Sequence, residues 1–271
     1  MGWKIVRHSF VLLFNNLANA LKVSVGPYLI AVLVAVASVM LAGVPLGMFT
    51  GGMSPQQMMM EGENFGVIVF PVTLFVLVVI MFVSSWVAVS WHRFVLLEEY
   101  PGALPALSGR PIWPYLGRVI ILVIVMVLVS IPLGLVVGLI SAPFMMGINA
   151  ATGEPTGAFI IVALMLGIAF AAVLSWLWMR WGLSLPATAV GKPMTIGESW
   201  ATTKPLSGAI FVASLIMFAI SISVGFGVDA IFGAGLIGGI LNLVINWISI
   251  MVGISILTTL YGHLVEGRAI T

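Results

Sequence analysis

Residues able to do acid–base, nucleophilic or metal chemistry are few in this sequence, and they stand apart. Histidine occurs at His8, His92 and His263 alone. His263 and Glu266 give His-x-x-Glu, without the second histidine that a His-Glu-x-x-His helix needs to hold zinc. The three read as solitary histidines at a membrane boundary, and no metal site is assigned. Asp229 closes the stretch GFGVD. A carboxylate pair sharing one proton would need a second aspartate in a span, and none exists. No serine stands in a Gly-x-Ser-Gly setting with a histidine in a span to activate it. An enzyme would need His92, Arg93, Glu98, Glu99 and His263 to converge, and these read more simply as a solvated loop and tail. The chain is therefore read as non-enzymatic, with no catalytic residue and no cofactor.

Two softer groupings remain. Met53, Met58, Met59 and Met60 offer thioethers of the kind that suit copper. No Met-x-x-Met series accompanies them, so residues 47–65 read as a Met-rich helix on the membrane or a contact for a partner. Ser54-Pro55-Gln56-Gln57 would cap it, with proline in the first turn. Asn242 and Asn246 are four apart and share a helix face. They form either a polar patch for a substrate or lipid, or hydrogen-bonded glue between helices.

These groups are sparse because the chain is apolar. Of its 271 residues 62% are hydrophobic and 7% charged, against about 25% charged in ordinary soluble domains. So few charges cannot cover a surface in water, which makes this an integral membrane protein. The net charge of +2 is small, and nucleic acid is not an expected partner. Cysteine is absent, which excludes disulfides, thiolate metal sites and cysteine nucleophiles.

A helix needs about 20 apolar residues to cross the hydrocarbon. Six runs qualify: 25–46, 66–91, 116–146, 158–180, 207–228 and 236–261. The third contains Pro132 and Pro143, so it is expected to kink, tilt or end in a short interfacial piece. All ten Lys and Arg residues fall on segments at one end of these spans. The opposite end carries only Glu61, Glu63, Glu154 and Asp229. Short basic loops stay in the cytoplasm, so both termini are expected there. Ionisable residues near mid-span, which proton relays and charged-substrate sites usually need, are missing. The small-residue pairs Gly134/Gly138 and Gly235/Gly239 are read as close packing within the monomer.

The first 22 residues form a separate unit, with residues 23–271 as the six-span domain. Trp3, Val6, Phe10, Leu13, Phe14, Leu17 and Leu21 recur at helical spacing, with Lys4, His8, Asn15, Asn19 and Lys22 opposite. That is an amphipathic helix suited to lying in the interface. Because it separates the first charges from the first span, it is not expected to be a cleaved signal. Trp91-His92-Arg93-Phe94 and Trp178-Met179-Arg180-Trp181 end two spans alike. Either they are exits of a duplicated unit, or they are ordinary boundary residues whose arginines snorkel.

The longest polar stretch is RWGLSLPATAVGKPMTIGESWATTKPLS, residues 180–207. Pro186 argues against a continuous helix, so residues 181–190 are expected to leave the bilayer along the interface. Thr195-x-x-Glu198 is a capping box for a short helix reaching about Thr203. Lys204 suits its C-terminus, Pro205 stops it, and Trp200 would anchor it in the headgroups.

A span exit, then SLPATAV, a basic-Pro turn, an IGESW helix and a new span resembles the YciC-like bacterial inner-membrane proteins. It is also similar to the membrane domain of some glycerophosphodiester phosphodiesterases. The resemblance implies six spans, both ends inside and a non-catalytic role; phosphodiesterase activity is not carried over. The fold expected is an all-α polytopic bundle with an N-terminal interfacial helix and short cytoplasmic helices. The function expected is that of an accessory, assembly or membrane-homeostasis factor of the inner membrane. Its partners would be lipids or a larger membrane complex, met through Lys4, Arg7, Lys22, Arg93, Arg180, Trp181 and Trp200. The alternative is a transporter or channel for a small neutral or lipid-like solute, using Asn242 and Asn246.

Overall fold

A computed structural model describes residues 1–44, 64–102, 104–145, 157–233 and 235–270. The methionine group 53–60, its Ser54-Pro55 cap, and Glu61, Glu63 and Glu154 lie outside the described residues. Within them all regular structure is helical: α1 (Gly2–Asn15), α2 (Leu17–Leu41), α3 (Asn64–Leu97), α4 (Ile112–Met145), α5 (Gly157–Trp181), α6 (Ser184–Ala189), α7 (Ile196–Thr202), a 3₁₀ turn (Lys204–Leu206), α8 (Ser207–Phe232) and α9 (Leu236–Leu264). Six helical segments are long and apolar enough to cross a membrane, and they correspond to the six runs in the sequence.

The local chemistry suits an apolar surrounding, where every backbone polar group must be satisfied within the chain. Helical assignment runs unbroken through Pro27, Pro71, Pro132 and Pro143, so the third span is one helix. Hydroxyls are satisfied locally too. Ser24, Ser85, Ser90 and Ser255 each donate to the carbonyl four residues back, at 2.7–2.8 Å.

The chain divides into two compact units, residues 17–116 and residues 1–16 with 117–271. In the unit of residues 17–116, α2 packs along α3. Its core includes Val23, Val83, Val87 and Trp91, while Val67, Phe70 and Val78 earlier in α3 are exposed. In the other unit, α8 packs against α5 and α9, and α1 lies against both α8 and α9. Ile210, Ala213, Met251, Ile256 and Leu260 are buried there, all near the α6–α7 end. The far halves expose Ile161, Leu164, Phe226, Ile231 and Leu243, side chains that hydrocarbon solvates.

Three expectations are corrected. The helix expected over residues 1–22 ends at Asn15, and residues 17–22 open α2. It is packed, not free: Gly2, Ile5, Val6, Ser9 and Leu13 are buried. The apolar spacing in the sequence picked out Val6 and Leu13 but also Trp3 and Phe14, which are exposed. Small residues decide the packed face. A Cβ on Gly2 would come within 2.6 Å of the Ala209 carbonyl oxygen, and Ser9 meets Thr259 of α9, oxygen to oxygen, at 3.2 Å. Second, the stretch around Pro186, expected to leave the helical path, forms a helix after a two-residue break, buried throughout and packed on α9. Pro186 falls in the first turn, where a missing N–H costs nothing. Third, Cβ atoms added at Gly134, Gly138 or Gly239 would meet nothing within 4 Å, and at Gly235 only a carbonyl oxygen at 3.9 Å. Among the described residues those pairs do not pack helices together.

Candidate functional site

The segment from Arg180 to Ser207 is where polar side chains are most fully used. It begins with the cap of α7. Thr195 Oγ1 accepts from the Glu198 N–H at 3.1 Å, and Glu198 Oε2 accepts from the Thr195 N–H at 2.7 Å. Both halves of the capping box are therefore present. The Thr195 N–H first, and then its hydroxyl, hold the Glu198 carboxyl below the usual glutamate range.

Helices end with carbonyls that lack partners, and here α5 and α7 satisfy each other's ends. Ser199 Oγ donates to the Arg180 carbonyl at 2.6 Å. In return Arg180 Nη2 donates to the Trp200 carbonyl at 2.7 Å, and its Nε to Thr203 Oγ1 at 3.1 Å. The guanidinium carbon lies 3.3 Å from the Trp200 ring centroid and 5.2 Å from that of Trp176. Trp176 meets Trp200 and Phe211 edge-on, and Trp181 stands 6.0 Å from Trp200. Arg180 is buried, its charge met by ring faces and carbonyl dipoles. This arrangement is a clasp: it fixes α7 across the end of α5 while Trp200, Lys192 and Lys204 stay exposed.

The other candidates fall as follows. Lys4 and Arg7 are exposed on α1 beside Trp3, and Lys22 is exposed on α2. Arg93 belongs to the unit of residues 17–116 and makes a bidentate ion pair with Glu99, at 2.6 and 2.9 Å. Arg93 and Arg180, alike in sequence, thus have unlike surroundings. Asn242 Nδ2 donates to Asp229 Oδ1 across α8 and α9 at 3.2 Å, and Asn246 Nδ2 donates to the Asn242 carbonyl at 3.1 Å. Asn242 thus links α9 to α8, while Asn246 bonds back within its own helix.

His92 is fully buried, with Nε2 3.3 Å from the Tyr115 hydroxyl. His263 Nδ1 donates to the Arg268 carbonyl at 2.7 Å. Sequence reading missed the Arg180–Trp200 stack and the second arginine on Glu99, Arg110. The stack joins residues 20 apart, and only the local excess of tryptophan hinted at it.

No protein-family model, curated protein or solved structure matches the chain. The fold itself defines the class. This is an all-α, multi-pass membrane protein with six helical segments of spanning length.

Proposed function

We propose that this chain is a non-enzymatic factor of the bacterial inner membrane, YciC-like, with both termini cytoplasmic. It serves assembly or membrane homeostasis through lipid and partner contacts at its basic end. The observation that carries this reading is the two-sided α1. One side is locked against α8 and α9, and the other presents Trp3, Lys4 and Arg7 outward. A ring that favours the headgroup level beside two cations is the pattern that anionic lipid attracts. Because α1 is fixed, that contact is pre-organised. The exposed Trp200, Lys192 and Lys204 extend the same chemistry.

The test is purification of the tagged full chain in mild detergent, with mass spectrometry of the proteins and lipids retained. Retention of anionic lipid or a stoichiometric protein, lost in the combined Trp3→Ala, Lys4→Gln, Arg7→Gln variant, supports the reading. The two charges alone contribute about 2 kcal/mol of attraction to an anionic surface. A variant that retains the same lipids and proteins as the parent overturns it.

A second reading, transport of a lipid-like solute, is favoured by one observation. A groove of about 530 Å³ opens between α4 and α5, lined by Val123, Met126, Val127, Leu174, Trp178 and Met179 among others. Solute flux in proteoliposomes, blocked by Ala171→Trp in that groove, would shift the assignment to transport.

A further inference from the structure

Where α3 ends, the unit of residues 17–116 holds a second polar site, independent of α1 and of the reading above. Leu97 closes the helix, and Glu98 turns the chain with φ of 56°, a left-handed conformation uncommon outside glycine. The turn brings Glu99 back beneath Arg93. The Glu99 carboxylate accepts two hydrogen bonds from Arg93 and a further one from Arg110 Nη1. Two guanidinium groups therefore face one carboxylate. Guanidinium carries five N–H donors. Among the described residues, Nε and Nη2 of Arg110 make no hydrogen bond to the protein. Burial first, and then the charge of Arg93, lower the Arg110 pKa, while the group remains cationic.

These side chains line a pocket of about 130 Å³, together with Ser90, Tyr100 and Gly102. A single water needs about 10–15 Å³ on this measure. All three charged side chains keep a path to solvent, with 17% of Arg93, 27% of Arg110 and 30% of Glu99 exposed.

We propose that this pocket binds a phosphate-type oxyanion, with Arg93 and Arg110 as its ligands and Glu99 as the internal anion that holds them until it arrives. Forked guanidinium donors fit planar or tetrahedral oxyanions bidentately. The second guanidinium and the spare donors of Arg110 offer an incoming oxyanion what Glu99 leaves unused. The ligand is a phosphate ester of a lipid headgroup or free inorganic phosphate, which share this chemistry.

The experiment measures thermal unfolding of the full chain in nonionic detergent at constant ionic strength. One series titrates inorganic phosphate against chloride; the other titrates short-chain phosphatidylglycerol against phosphatidylcholine. A ligand that binds only the folded state raises the midpoint with concentration. A saturable rise with phosphate identifies the free ion; a rise with phosphatidylglycerol alone identifies the headgroup. Arg110→Gln is expected to weaken binding at least about tenfold, the loss of one charged hydrogen-bond donor. Glu99→Gln removes the competing anion and is expected to tighten binding several-fold even where it lowers the ligand-free midpoint. A purely structural ion pair would show only the fall in that midpoint. The proposal is overturned if neither ligand shifts the parent, or if Glu99→Gln binds no more tightly than the parent. Because Glu99→Gln reads the opposite sign, a failure of Arg110→Gln to fold leaves the test intact.

Discussion

Arg180 shows how one side chain can hold two helix ends. Its guanidinium carbon lies 3.3 Å from the Trp200 ring centroid, and the group donates to the carbonyl of that same residue. Lysine keeps the charge but has no planar face and no fork. Arg180→Lys is expected to loosen α7 by about 2 kcal/mol, the value of a desolvated cation–π contact. Hydrogen exchange of residues 197–202 reads this directly, with exposed Lys192→Ala as the control that leaves it unchanged. At the other end of α7, Thr195→Ala is expected to cost about 1 kcal/mol through the lost cap. The same cap carries a pH signature. Glu198 has a lowered pKa in the folded state, so its contribution is complete above the unfolded glutamate value of about 4.3. That contribution is lost as pH falls through the lower folded value. Exchange protection of α7, corrected for intrinsic rates, should therefore fall in acid in the parent and change less in Thr195→Ala. The capping box was legible in the sequence because Thr195 and Glu198 meet within one helical turn. The Arg180 stack was not, because its partners meet only after the chain has turned back from α5 to α7.

For whole elements, the sequence spoke about composition and stayed silent about neighbours. Hydrophobic spacing marked residues 1–22 as amphipathic but could not say that α8 and α9 cover one face. Nor did it mark the covered face well, since Gly2 and Ser9 owe their burial to closeness of approach and not to hydrophobicity. Gly2→Val places methyls against the Ala209 carbonyl and the Val212 side chain. It is expected to destabilise the docked α1 by about 1–3 kcal/mol, the range for overpacking. Because the chain lacks cysteine, a single Ile5→Cys reports the event cleanly. Its thiol should resist a soluble maleimide in the parent background and react readily beside Gly2→Val. The short α6 was obscured by Pro186, a residue that breaks a helix interior and is tolerated in a first turn.

At the scale of the molecule the six spans were the most legible feature, because crossing hydrocarbon demands length and apolarity that nothing else in the chain imitates. Their direction rests on the ten basic residues, and it has its own test. Cysteines placed singly at Lys192, Lys204 and Arg268 are expected to react in inverted vesicles and to be shielded in intact spheroplasts. Reaction of any one in spheroplasts would break the assignment. The pairing of Ser9 with Thr259 carries a further consequence, one of timing. The two residues are 250 positions apart in the chain. At roughly 5–20 residues per second of synthesis, the seat for α1 does not exist until some 12–50 s after α1 has left the ribosome. Throughout that interval its seam of Ile5, Ser9 and Leu13 lacks its final cover. α1 is thus made long before its seat, and its docking reports that α9 has been inserted.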